Sequence, residues 1–257
     1  MKRTMILVAL SAVLALNAAP AMAAVFGDGG TALDKVLDDI TVTPSPTPGQ
    51  TSVNVLTDEI VDGQDKQWHI TATGGSISTM IIEVADFKDN NIFGVYDIAN
   101  PTNKVTIFAG SASAGAQTTL SVDALGGIYI NHVKQGDFGS TWFGYFLDSS
   151  ANTGGGLWYS DTSLNVADGL DHMYAYQGTN TDTVQIAPWG SGLWTDSEFI
   201  LAWEDLAGPY GQGAGYSDRD FTDMVVMVES VQVPVPGAVL LGVLGLSVAG
   251  ARLRKRS

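Results

Sequence analysis

From Ser52 onward the chain repeats its apolar residues at every second position, a period that only an extended strand can use. Val53/Val55, Trp68/Ile70/Ala72, Val105/Ile107/Ala109, Ile128/Ile130, Trp142/Gly144/Phe146 and Phe199/Leu201/Trp203 each alternate with residues of the opposite face. Successive strand side chains point to opposite sides, so such a run buries one face and leaves the other for solvent or a second layer. Gly, Asn, Asp and Ser interrupt the runs about every ten residues, which gives about a dozen short strands. No second helical pattern follows, so a βαβ architecture has nowhere to put its crossover helices. The expected fold is all-β: an antiparallel β-sandwich of jelly-roll type over residues 52–232.

Residues 24–51 read differently. In Thr31 to Ile40, Leu33, Val36, Leu37 and Ile40 follow the i, i+3, i+4, i+7 spacing of one helix face, and Thr31 with Asp34 forms a cap-like pair. The run from Thr41 to Gly49 contains Pro44, Pro46 and Pro48, which cannot continue a helix, and reads as an extended linker. Within the β region, Phe93-Gly94-Val95-Tyr96-Asp97 and Phe143-Gly144-Tyr145-Phe146-Leu147-Asp148 are similar. They read as two strands of related geometry, each with a Gly that lets a neighbouring backbone or ring approach closely.

Charge is distributed unevenly. All 27 acidic residues lie between Asp28 and Glu229, whereas six of the 12 basic residues sit at the two extreme ends. A body this acidic repels phosphate backbones and anionic headgroups, which disfavours nucleic acid and a peripheral membrane role, and it attracts cations. There is no Cys, so thiol-ligated metals and Cys nucleophiles are excluded, and a body of this size needs no disulfide to bury a core.

Both ends read as addresses. Lys2 and Arg3 precede an apolar run of twelve residues, Met5 to Leu16, and Ala21-Met22-Ala23 then supplies a small-x-small cleavage site. This is the pattern of a secretory signal peptide over residues 1–23, too short for a transmembrane span of about 20 residues. At residues 233–257, Val233-Pro234-Val235-Pro236-Gly237 leads into an apolar stretch from Ala238 to Ala251, punctuated by Gly242, Gly245 and Gly250. Arg252, Arg254, Lys255 and Arg256 close the chain. As a helix the stretch would span only about 20 Å of a roughly 30 Å hydrocarbon core, with the basic cluster kept on the cytoplasmic side. The arrangement resembles the PEP-CTERM sorting signal of Gram-negative bacteria, with Val235 where the name-giving motif has Glu. The resemblance implies export with signal peptidase and exosortase as processing partners, transient anchoring in the inner membrane through the C-terminal segment alone, and delivery to the cell surface or extracellular matrix. A simple C-terminal membrane anchor is the alternative.

The sharpest chemical signal is a strand end, Phe199 to Leu206, a Gly-rich loop, and then Ser217-Asp218-Arg219-Asp220-Phe221-Thr222-Asp223 before a second apolar strand. Glu204, Asp205, Asp218, Asp220 and Asp223 are thereby expected to converge at one end of a hairpin. Carboxylate oxygens on a loop suit Ca²⁺, which takes six to eight oxygen ligands. Asp218 and Asp220 are well spaced as co-ligands in a turn, whereas Asp223 must fold back. The flanking strands, with neither the Gly nor the closing Glu of a twelve-residue EF-hand loop, exclude that motif. The competing reading is that these Asp cap turns and that Arg219 neutralises one of them.

The F-G-x-Y strand, the later F-G-Y-F-L strand, the W-E-D-L strand end and the S-D-R-D-F-T-D segment together resemble the bacterial domain of unknown function 4114 over residues 90–230. Thr222 stands where Asn is usual. The resemblance implies an exported β-sandwich binding module and brings no catalytic activity.

Enzyme signatures are otherwise missing. There is no Gly-x-Ser-x-Gly elbow, and His69, His132 and His172 have no ligand-like spacing. With 22 Asp and 5 Glu, a glycosidase pair cannot be singled out. Trp158, Tyr159, Tyr174, Tyr176, Trp189 and Trp194 lie in Gly/Asp/Thr-rich sequence and could stack on sugars from loops, although burial in the core is the commoner fate of such rings. The expectation is an exported structural or adhesive protein of the bacterial envelope or extracellular polysaccharide matrix, not an enzyme, with a Ca²⁺ site in the acidic hairpin. A Ca²⁺-dependent carbohydrate-binding module is the first alternative and a glycoside hydrolase or lyase the second.

Overall fold

A computed structural model describes residues 32–43, 49–73, 75–82, 90–208 and 217–234. Ala21, Ala23, Pro236, Gly237, Arg252, Arg254, Lys255 and Arg256 of the expected sorting elements lie outside the described residues, and Pro234 is the last one inside them. Among the described residues no helix is long and apolar enough to cross a membrane.

One helix, α1 (Leu33–Ile40), precedes the strands β1 (Thr41–Thr43), β2 (Trp68–Ile70), β3 (Ser76–Ile82), β4 (Ile92–Asp97), β5 (Asn100–Phe108), β6 (Gln117–Val122), β7 (Gly127–Ile130) and β8 (Val133–Asp137). Then follow β9 (Trp142–Asp148), β10 (Leu157–Tyr159), β11 (Met173–Gln177), β12 (Thr183–Val184), β13 (Gly192–Leu193), β14 (Phe199–Trp203), β15 (Met224–Val228) and β16 (Val231–Gln232). A six-stranded sheet runs β16-β2-β9-β4-β5, with β10 on the free part of β9, and a seven-stranded sheet runs β11-β14-β15-β3-β6-β7-β8. All pairings are antiparallel. The two inner faces meet in one apolar layer: Trp68 lies edge-on to Phe199 with ring centroids 5.0 Å apart, and Phe93 meets Trp203 at 6.1 Å. The protein is a β-sandwich.

The outer face of the seven-stranded sheet is covered too. Leu33, Val36, Leu37 and Ile40 of α1 join Val53, Val55, Val184, Trp194 and Phe221 over Tyr174, Tyr176, Ile200, Ala202, Val225 and Met227. β14 and β15 are therefore buried on both faces, which explains their continuous apolar composition. A three-stranded sheet, β1-β12-β13, completes this outer layer.

Several local expectations are corrected. Val53 and Val55 lie in a turn held by Asn54 and Asp58, and their alternation reflects burial in the outer layer. Thr41 to Thr43 form β1 and pair with β12, because the first Pro comes only at position 44. The residue before α1 is Ala32, with no side-chain cap; Asp34 accepts instead from the adjacent Lys35 N–H, and Thr31 lies outside the described residues.

The twin Gly motifs do meet. β4 pairs with β9 so that Gly94 faces Phe146 and Tyr96 faces Gly144. A Cβ on Gly94 would overlap the Val105 carbonyl oxygen and the Phe146 ring, and one on Gly144 would overlap the Tyr96 ring. Overpacking of this kind costs about 1–3 kcal/mol. Gly144→Ala should therefore lower the denaturation midpoint clearly, whereas Gly190→Ala, where a Cβ meets nothing within 4 Å, should leave it near wild type; equal midpoints in urea titration would contradict the interlock.

Candidate metal centre

The register of the central strands builds the site. Trp203 of β14 lies opposite Met224 of β15, so Glu204 and Asp205 leave one strand beside Asp223 as it enters the other. Asp223 Oδ2 accepts the Asp205 backbone N–H at 2.9 Å. Residues 209–216 lie outside the described residues. Ser217 to Asp223 return through a chain of tight turns, in which Ser217 Oγ accepts from Arg219 N–H and Asp220 Oδ1 accepts from both the N–H and the hydroxyl of Thr222. Arg219 and Phe221 take positive φ values of 55° and 56°, which coil the segment. Phe221 fixes it from the other side by stacking on Tyr174 with centroids 3.9 Å apart.

All five acids expected from the sequence come together. Carboxylate oxygens of Glu204, Asp205 and Asp223 lie within 4.8 Å of one another, and so do those of Glu204, Asp218 and Asp220. Glu204 belongs to both groups. The turn-capping reading holds for Asp220, for Asp218, whose Oδ1 faces the Asp220 N–H, and for Glu204 Oε1, which accepts from the Leu206 N–H at 3.2 Å, but it does not account for Asp205 and Asp223. Glu204 is 2% and Asp205 1% exposed, and Glu204 Oε2 and Asp205 Oδ1 accept no hydrogen bond. Among the described residues Arg219 forms no ion pair, and its guanidinium lies over the Phe221 ring at 5.8 Å.

The electrostatics of the site are dominated by burial. Burial, reinforced by Asp218, pushes Glu204 up to about 8. Burial also lifts Asp205 to about 6, where the Asn91 amide opposes it and Asp218 and Asp220 add to it. Asp223 is raised well above the usual carboxylate range by burial and then by Glu204 and Asp205.

The frame beneath is polar and rigid. Trp158 Nε1 donates to the Asp205 carbonyl oxygen at 2.9 Å, and the Ser149 hydroxyl donates to the same atom. His172 stacks on Trp158 at 3.6 Å, donates from Nδ1 to the Glu204 carbonyl at 3.0 Å, and meets Asp168 through Nε2 at 3.0 Å. Burial of Asp168 is outweighed by hydrogen bonds from His172, Gly208 N–H and Leu170 N–H, which hold its carboxyl down to about 2. Asn91 Nδ2 donates to Asp205 Oδ2 at 2.9 Å. Sequence reading missed Asn91, Ser149, His172 and the role of Trp158, which come from three distant segments and share no motif; the Asn90-Asn91 pair ahead of β4 was the one visible hint.

The aromatic set expected on loops is mostly internal. Trp158 and Trp194 are 1% and 0% exposed, and Tyr174 and Tyr176 are also buried. Tyr159 packs edge-on against Tyr96. Only Trp189 is exposed, and its Nε1 is tied to the Gly115 carbonyl. These rings do not form a shared stacking face. His132 is exposed and His69 lies against Trp142, so neither approaches ligand geometry with a partner His.

Comparison with known protein families, with curated proteins and with solved structures finds no match to this chain.

A carboxyl whose pKa is raised by folding binds its proton more tightly in the folded chain. Its stabilising effect is full below the ordinary carboxylate range and is lost as pH rises through the folded pKa. In chelator, the melting temperature should therefore fall as pH rises from about 5 to about 8, the window set by Asp205 and Glu204. Glu204→Gln should flatten that slope; an unchanged slope in the variant would remove Glu204 as its source.

Proposed function

We propose that this chain is an exported, surface-sorted structural or adhesive protein of a bacterial envelope or extracellular matrix. Its β-sandwich, of jelly-roll type, is locked by Ca²⁺ at Glu204, Asp205, Asp218, Asp220 and Asp223. The observation that carries the metal assignment is the pair of buried oxygens that accept no hydrogen bond, Glu204 Oε2 and Asp205 Oδ1, within a cluster of five carboxylates. An uncompensated buried charge is costly, so a proton or a metal must sit there. Ligands opposite one another across Ca²⁺, each at about 2.4 Å, stand about 4.8 Å apart, and within each group of three the carboxylate oxygens lie no farther apart than that.

Export is supported by the signal-like start and by the resemblance of residues 233–257 to a PEP-CTERM signal, and the body's resemblance to domain of unknown function 4114 points the same way. Outside the cell Ca²⁺ is plentiful, and extracellular modules bind it with Kd of about 0.1–1 mM. A hydrolase or lyase reading is less well supported: glycosidase carboxyls flank a sugar about 5–10 Å apart, whereas these gather in two close groups that share Glu204, and Glu204, Asp205 and Asp220 are buried. The burial of Trp158 and Trp194 removes the main support for a carbohydrate-stacking face.

Ca²⁺ at a hundred times Kd should stabilise the folded chain by about 2.7 kcal/mol, a rise of about 5–10 °C in the melting temperature. The rise should be clearly smaller in Asp220→Asn and be absent with chelator. No rise at several millimolar Ca²⁺ with the wild-type full chain would sink the metal assignment.

A further inference from the structure

A second acidic centre lies away from the hairpin, at the start of β11. Asp58, Glu59, Asp62 and Asp65 crowd one short loop. That loop is pinned to β11 by a bridge from Glu59 to Tyr176 and by the Ile60 N–H bond to the Ala175 carbonyl at 2.9 Å. It then turns back through Gly63, whose φ of 86° permits the reversal. Asp171, two residues ahead of β11, meets it there. Carboxylate oxygens of Glu59, Asp62 and Asp171 lie within 4.8 Å of one another.

Two further observations point to a ligand. Asp171 uses Oδ1 on the Met173 N–H, but its buried Oδ2 accepts nothing. Asp65 is 1% exposed, and neither of its oxygens accepts a hydrogen bond in sound geometry, although the N–H groups of Asp65 and Gly63 lie close by. Among the described residues no Lys or Arg forms an ion pair with any of the four acids. Asp62 is exposed, which leaves the cluster a side open to water and to an ion.

We propose that Glu59, Asp62, Asp65 and Asp171 form a second divalent-cation site for a hard, oxygen-seeking ion of the Ca²⁺ class, separate from the hairpin centre. The burial of Asp65 and Asp171 raises both carboxyls well above their usual range, and each is raised further by Asp62. Glu59 moves the same way, up to about 7. A divalent ion removes that mutual repulsion at once and gives the orphaned oxygens the partner that side chains do not supply. The two centres are physically joined: Asp171 serves this one, and its neighbour His172 holds the Glu204 carbonyl of the other.

Equilibrium dialysis of the full chain against Ca²⁺, with bound metal counted per chain, tests the proposal. Wild type should hold two ions. A Glu59→Gln/Asp171→Asn variant should hold one, with the lost site weakened at least tenfold, and Asp220→Asn should also hold one. If the double variant does not fold, Asp62→Asn, at an exposed position, gives the same readout. A wild-type count of one that Asp220→Asn abolishes, and that the loop variants leave alone, overturns the second site and spares the first. A count of one that the loop variants abolish and Asp220→Asn spares supports the second site and removes the first. No bound ion in wild type overturns both.

Discussion

The pairing of β14 with β15, two strands buried on both faces, joins the two apolar layers and aims the acidic segment. Phe199, Leu201 and Trp203 fill the layer between the sheets, while Ile200 and Ala202 fill the layer under α1. Because the strands run to Trp203 and Met224 in register, whatever follows 203 and precedes 224 is placed together with little freedom. Glu204, Asp205 and Asp223 are in this sense fixed by hydrophobic packing. The electrostatic cost at the site is imposed by a core too well packed to relax.

That cost is met by a frame that satisfies the backbone and leaves one side-chain oxygen each of Glu204 and Asp205 bare. Trp158, Ser149 and His172 satisfy the carbonyls of Glu204 and Asp205, so the chain cannot rotate to turn its carboxylates toward donors. Polar groups buried in this way are pre-organised toward something added from outside. The same division recurs at Asp171, whose Oδ1 is used by a backbone N–H while Oδ2 is left without a partner.

The β-sandwich was legible because period-two alternation survives in strands with one inward face, such as β5 and β7. It failed at Val53 and Val55, where two apolar side chains reach the outer layer from a turn, and at β12, β13 and β16, each two residues long, which are too short to show a period. The hairpin carboxylates were legible because strand pairing brings them together from a short stretch of sequence. Asn91 and Ser149 were not, since their meeting with Asp205 depends on how one sheet lies over the other, and His172 was not, since it reaches Glu204 only through the pairing of β11 with β14. The Asp58–Asp65 run was dense enough to notice, but its partner Asp171 stands more than a hundred residues away, and only the docking of the loop on β11 unites them.

The reciprocal glycines of β4 and β9 bear on how the sandwich finds its pairing. A strand with alternating burial can slide by two residues along its neighbour and still present the same face, so hydrophobicity alone does not forbid the error. In the observed register each Gly receives a ring, Gly94 facing Phe146 and Gly144 facing Tyr96. A slide in one direction sets Tyr96 against Phe146, ring upon ring. A slide in the other sets Gly94 against Gly144 and leaves a hole. The two motifs therefore work as a key and its ward, admitting one alignment of the six-stranded sheet and rejecting its nearest imitations.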